Sequence, residues 1–231
     1  MKMNTKLRGG FTLVELLVVI VIIAALAGLA SPAILRSRKK ADQTEAVSNA
    51  RQIGISLMDF DNEYGSFPDA ETAIAVQTAT ETELVAGLTA NDRFRQLIRA
   101  GIVESEAIFY CKTSFTRKPD GNFEGQEALG PGEVGFSFFT KADGEGLSSA
   151  GNSGRPILVA PTKESMAATG DFDPSPFDAK AVILKLDNSV TSVNIIKASG
   201  RILLNGRAPL AAGPDTVWGT DITPAFAHPI P

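Results

Sequence analysis

The sequence predicts an α+β protein, with a long N-terminal helix whose first half spans a membrane and whose outer half packs against an antiparallel β-sheet head. Three observations carry this. Residues 11–30 read FTLVELLVVIVIIAALAGLA, and 17 of those 20 are apolar. From Ala46 to Tyr64 the apolar residues Ala46, Ala50, Ile53, Leu57, Phe60 and Tyr64 recur at steps of 4, 3, 4, 3 and 4, which is one face of a helix. Further on, short apolar runs alternate with Gly, Pro and Asp, the mark of short strands and turns. Helix first and antiparallel strands later is the α+β order.

The apolar run comes first. A helix rises ~1.5 Å per residue, so twenty residues cover ~30 Å, about one bilayer core. Basic residues flank it: Lys2, Lys6 and Arg8 before, Arg36, Arg38, Lys39 and Lys40 after. An uncleaved anchor or a secretory signal peptide shows the same outline, and Ala27-Gly28-Leu29-Ala30-Ser31 passes as a small-residue cleavage site. Two features argue otherwise. Glu15 places an acid inside the apolar run, at a cost of roughly 2.5–3.5 kcal/mol at membrane depth unless it is paired or near the interface. Gly9-Gly10 closes the polar leader where the apolar run begins, so a cut there keeps the membrane helix.

Gly10-Phe11-Thr12-Leu13-Val14-Glu15-Leu16, followed by the long apolar run and Pro32, resembles the type IV pilin and type II secretion pseudopilin family. The resemblance implies a pilin-like fold and cleavage by a prepilin peptidase between Gly10 and Phe11. Phe11 is then N-methylated. Thr12 and Glu15 become assembly residues, with Glu15 neutralising the N-terminal amine of an adjacent subunit. An amine and a carboxylate in an apolar setting are each costly alone and tolerable as a pair, and register is the best-attested use of such a pair. The capping subunit of such filaments lacks this glutamate, so Glu15 points away from a tip position. Basic residues do not orient the chain, since the leader carries three and residues 36–40 carry four. The resemblance does: leader in the cytoplasm, head outside.

Gly28 and Pro32 mark a weak turn. Pro32 has no N–H to give to the Gly28 carbonyl, so a kink or local melting is expected there. Beyond Lys40 the helix is expected to continue to about Asn62, and Tyr64-Gly65-Ser66-Phe67-Pro68 stops it. No sequence-level reason accounts for Gly54 within it. Helices are expected over 71–79 and 91–100, and strands over 107–112, 134–140, 156–160, 181–186 and 190–195, with a further one over 201–204. Asp187-Asn188-Ser189 is the strongest hairpin signal. From Gly206 onward the chain is rich in Gly and Pro and reads as a loosely packed tail, with Trp218 either filling a groove, the favoured reading, or contacting a neighbour.

With 1 Cys and 1 His, a disulfide framework is ruled out, and a histidine metal cage or a His-paired nucleophile is not expected. Many type IV pilins close a disulfide loop, which this chain cannot do, and that favours a pseudopilin. Cys111 reads as a buried small hydrophobe, and His228 has no assigned role. Gly130-Pro131-Gly132-Glu133-Val134-Gly135 fits GxGxxG but precedes a strand, so it is a loop and not a nucleotide site. Asp171, Asp173 and Asp178 are weak calcium candidates in a spacing that is not a recognised calcium loop; no other cofactor is expected. Residues 41–231 hold 15 basic and 25 acidic side chains, against the basic patch that nucleic-acid binding needs.

The expected organisation is a leader over 1–10, a transmembrane segment over 11–35, an amphipathic helix over 36–62, an α+β head over 63–205 and a tail over 206–231. The expected function is that of a structural subunit and not an enzyme: a pseudopilin of a type II secretion system. It would be held in the inner membrane by a single pass with its N-terminus cytoplasmic and its head periplasmic. Expected partners are itself and related subunits, prepilin peptidase, an inner-membrane assembly platform and membrane lipid. Two alternatives remain: a type IV pilin for adhesion, motility or DNA uptake, and an uncleaved single-span binding protein.

Overall fold

The computed structural model describes residues 12–84, 86–123, 127–163 and 171–231. The chain divides into two compact units, Met1–Arg38 and Lys39–Pro231. Helix α1 (Leu13–Tyr64) is followed by α2 (Ala70–Thr80), α3 (Ala90–Arg99) and a 3-10 turn (Glu106–Phe109). The strands are β1 (Ser137–Lys141), β2 (Pro156–Ala160), β3 (Lys180–Lys185), β4 (Val190–Asn194) and β5 (Pro224–Ala227). They form one antiparallel sheet in the order β4-β3-β2-β1-β5. This is the α+β, pilin-like architecture that the sequence predicts.

In the first unit the apolar side chains of α1 face outward. Leu13, Ile22 and Leu29 are 78%, 52% and 80% exposed. No local melting appears at the Gly28–Pro32 turn, because the helix runs unbroken with Pro32 inside it. The Ser31 hydroxyl donates to the Ala27 carbonyl at 2.7 Å, one residue before the Gly28 carbonyl that Pro32 leaves without its helical donor.

In the second unit the rest of α1 lies against the sheet. Ala46, Ala50, Ile53, Leu57 and Phe60 are fully buried, as their period requires. Gln43 Nε2 donates to Ser192 Oγ of β4 at 2.9 Å. Gly54 now has a reason. A Cβ there would clash with Asn188 Oδ1 and sit 3.0 Å from Leu184 Cδ2, so the β3–β4 hairpin rests directly on the helix backbone. The hairpin turn is the one that Asp187-Asn188-Ser189 announced, with Asn188 at φ 58°.

Both short helices begin on reciprocal caps. Asp69 accepts from the Thr72 N–H and the Asp69 N–H donates to the Thr72 hydroxyl. Thr89 and Asp92 do the same for α3. These caps explain why each helix starts one residue earlier than its apolar pattern suggests.

Strand β1 sends alternate side chains to opposite faces. Phe138 meets Phe94 of α3 edge-on, with centroids 5.8 Å apart. Phe139 meets Trp218 at 5.6 Å and Phe226 at 4.4 Å. The sheet is therefore covered on both faces, and β2 is buried at all five positions.

Three expectations are corrected. The 107–112 strand is a 3-10 turn and an irregular segment. The Ala107 and Tyr110 carbonyls that a partner strand would take are bound by Asn49 Nδ2 of α1, at 3.2 and 2.9 Å. The 201–204 strand reduces to isolated bridges, Ile196 with Arg201, and Leu204 with Arg207 around an Asn205-Gly206 turn. The C-terminal segment is not a loose tail. Pro224–Ala227 is the fifth strand, and Trp218 is 1% exposed with its indole N–H donating to the Pro209 carbonyl at 2.7 Å. The Ala90 N–H donates to the His228 carbonyl and the Ile230 N–H to Asn91 Oδ1, both at 2.8 Å, which clasps the C-terminus onto the start of α3.

Candidate functional site

The start of α1 is built by two side chains three residues apart. The Thr12 N–H donates to Glu15 Oε2 at 2.8 Å, and the Thr12 hydroxyl donates to the same oxygen at 2.7 Å. In return the Glu15 N–H donates to Thr12 Oγ1 at 3.3 Å. This is a capping box: each residue satisfies an N–H that the first helical turn leaves without a partner. A carboxylate at this end also complements the positive end of the helix dipole. Glu15 is thus the acid of a helix cap that opens an exposed apolar helix. Gly10 and Phe11 lie outside the described residues.

Helix α1 is long and apolar enough to cross a membrane, by length and composition. Gly28 faces open space, with nothing within 4 Å of where a Cβ would be.

The head offers a second cluster, though not the expected one. Among the described residues, the carboxylates that converge are Glu106, Asp120 and Glu133, with oxygens within 4.8 Å of one another. Asp171, Asp173 and Asp178 are not brought together in this way. Asp173 instead closes a local turn by accepting from the Ser175 N–H at 2.8 Å.

The chemistry of the converging group is that of a loop anchor. Glu106 accepts from the Leu129 and Gly121 N–H groups at 2.8 and 2.9 Å. Glu133 accepts from the Gly130 and Asp120 N–H groups at 2.7 and 3.2 Å, and Arg117 Nη2 lies 3.5 Å from it. Burial pushes the Glu106 carboxyl above its ordinary range. The two N–H donors oppose that rise, and the Glu133 and Asp120 charges add to it. The GxGxxG segment belongs to this anchored loop: Gly132 adopts φ 78° and its N–H donates to the Ile230 carbonyl. It opens no helix, so it lacks the geometry of a phosphate cradle.

Comparison with known proteins bears on the N-terminal segment. Residues 5–31 match the prokaryotic N-terminal methylation motif. The start of this chain therefore carries that methylation motif. A 74-residue stretch is also 36% identical to the type II secretion system core protein G of Aeromonas hydrophila, covering 31% of this chain and 50% of that relative. The chain therefore spans about half the length of the curated relative that it matches. No solved structure matched.

Within the matched motif and the helix that follows, Thr12 and Glu15 are brought together, while Gly28 and Pro32 sit on an unbroken helix. The converging carboxylates were missed because their spacings of 14 and 13 residues match no local pattern. The caps at Asp69 and Thr89 had a visible signal, a polar residue three positions ahead of its partner.

Proposed function

We propose that this chain is a pseudopilin of a type II secretion system. Prepilin peptidase cuts it between Gly10 and Phe11, and Phe11 is N-methylated. The protein is held in the inner membrane by a single span, with its N-terminus in the cytoplasm and its head in the periplasm. The inner-membrane assembly platform then draws it into a filament with copies of itself and related subunits. The pilin and pseudopilin family is one of structural subunits, and the role proposed here is structural.

One observation carries the reading: a methylation-motif N-terminus whose only acid, Glu15, sits in a cap at the head of an exposed apolar helix. The similarity to a type II secretion core protein favours secretion over surface pili. Glu15 would leave Thr12 for the amine of a neighbouring subunit during growth. That exchange keeps both charges paired and sets the axial step. No cofactor enters this account.

Three experiments test it. Immunoblots of cells with and without prepilin peptidase are expected to show a size shift, and mass spectrometry a methylated Phe11 amine. An unshifted band would mean an uncleaved anchored binding protein. Deletion of the gene is expected to abolish exoprotein secretion; loss of surface fibres or twitching with secretion intact would make the chain a type IV pilin. Glu15→Ala is expected to abolish filaments, and normal filaments from that variant would sink the assigned role of Glu15.

A further inference from the structure

The membrane-spanning reading leaves one charge imbalance without a partner. Cutting after Gly10 removes Lys2, Lys6 and Arg8, every basic residue ahead of the apolar run. The next basic residues are Arg36 and Arg38, directly beyond the outward-facing Leu35, and Lys39 and Lys40 follow in sequence. The mature chain therefore keeps no basic side chain on its cytoplasmic flank and four on the other, the reverse of the usual bias.

Arg36, Arg38 and Lys40 are exposed and Lys39 is partly so. The ion pairs among the described residues involve none of the four. Lys40 donates to Gln43 Oε1 at 3.1 Å, a neutral partner. On a helix turning by about 100° per residue, the four lie at about 0°, 200°, 300° and 40° around the axis. Lys39, Arg36 and Lys40 share an arc of about 100° and Arg38 stands on the opposite side, so the charge is not confined to one face. A protein partner reads one side of a helix, whereas a lipid leaflet surrounds it. Long basic side chains at the end of a span also reach outward to the headgroups.

We propose that Arg36, Arg38, Lys39 and Lys40 form a collar that binds the anionic phosphates of phospholipid headgroups in the leaflet on the head's side of the membrane. This rests on the membrane-anchored topology proposed above. Subunits stored in the membrane are held by that leaflet, and leaving it for a filament means giving those phosphates up. Extraction therefore becomes harder as the anionic lipid fraction rises.

The test uses the full chain in nanodiscs of phosphatidylcholine with and without phosphatidylglycerol. Native mass spectrometry after detergent release measures how far retained lipid is enriched in phosphatidylglycerol. The wild type is expected to enrich it, and Arg36→Gln/Arg38→Gln to lose roughly fivefold per charge removed, the effect of one basic residue at an anionic surface. Arg36→Lys/Arg38→Lys, which keeps the charge, is expected to retain the enrichment. Equal enrichment in the wild type and the glutamine variant overturns the proposal, as does loss in the lysine variant. Displacement of the lipid by inorganic phosphate at matched ionic strength would make free phosphate the ligand and overturn the lipid assignment. Protease accessibility of the head in spheroplasts reads topology separately. A protected head would refute the N-in orientation while leaving lipid selectivity to be judged on its own result.

Discussion

Helix α1 places two kinds of sequence on one backbone. In its first part Ile22 and Leu29 are 52% and 80% exposed; in its second, Ile53, Leu57 and Phe60 are fully buried. The first part is apolar on every side and needs a surrounding apolar phase. The second is apolar on one face only, and the head supplies that face's environment. A helix apolar all round belongs in a membrane or a large core, and an amphipathic one belongs on a surface. Burial inside the chain therefore covers the apolar face of the second part and leaves the apolar surface of the first part uncovered.

That contrast can be broken most sharply in the head. Trp218→Ala removes the side chain between Phe139 and the Pro209 carbonyl and is expected to cost about 3–5 kcal/mol. Leu57→Ala is expected to cost about 2–5 kcal/mol. Both are read by denaturant unfolding in detergent, followed by near-ultraviolet circular dichroism. If Leu57→Ala left the midpoint unchanged, the outer half of α1 would not be part of the head's core.

Gly54→Ala comes next. Its Cβ would meet Asn188 Oδ1 and Leu184, so the hairpin must shift, at about 1–3 kcal/mol. Gly28→Ala is the matched control on the exposed stretch: with open space around it, head stability should stay within about 0.5 kcal/mol. Ile22→Ala should likewise leave the head's unfolding midpoint in place while weakening filament or membrane association. A drop in head stability from Ile22→Ala would erase the distinction between the two regions.

Acidification affects the head through groups of opposite sign. Burial lowers the His228 imidazole below its ordinary 6.5. The unfolded chain therefore takes up that proton first, and stability is lost as pH falls through 6.5 toward the folded value. Asp69 is also lowered. Burial pushes it up, but the Thr72 and Gly146 N–H groups and the Thr72 hydroxyl outweigh that, so its contribution is present near neutrality and lost as pH falls below its ordinary 3.8. Glu106 is raised, so protonation favours the folded head below its ordinary 4.5, opposing the loss. Unfolding midpoints are expected to fall between pH 7 and 6, and His228→Gln to flatten that limb. A limb of the same slope in the variant would remove His228 as its cause.

The smallest expected effect concerns calcium. The four oxygens of Glu106 and Glu133 are already bound by backbone N–H groups, so equilibrium dialysis is expected to show no stoichiometric uptake. Uptake that disappears in Glu106→Gln would show a metal at that cluster instead.

The sequence by itself determined whatever rests on neighbours along the chain. The apolar span, the helical face from Ala46 to Tyr64, the Asp187-Asn188-Ser189 turn and the Thr12–Glu15 motif are all written in spacings of two to four residues. At that range backbone geometry alone decides which side chains meet. Only the tertiary structure decided the rest. Asn49 takes carbonyls 58 and 61 residues away, Gly54 receives a hairpin more than a hundred residues later, and residues 224–227 close the sheet beside β1. Such contacts depend on which surfaces the assembled layers bring together, and no local period encodes that. The 107–112 segment shows the difference most plainly: its apolar run suits a strand, but its Ala107 and Tyr110 carbonyls went to the Asn49 side chain and no ladder forms.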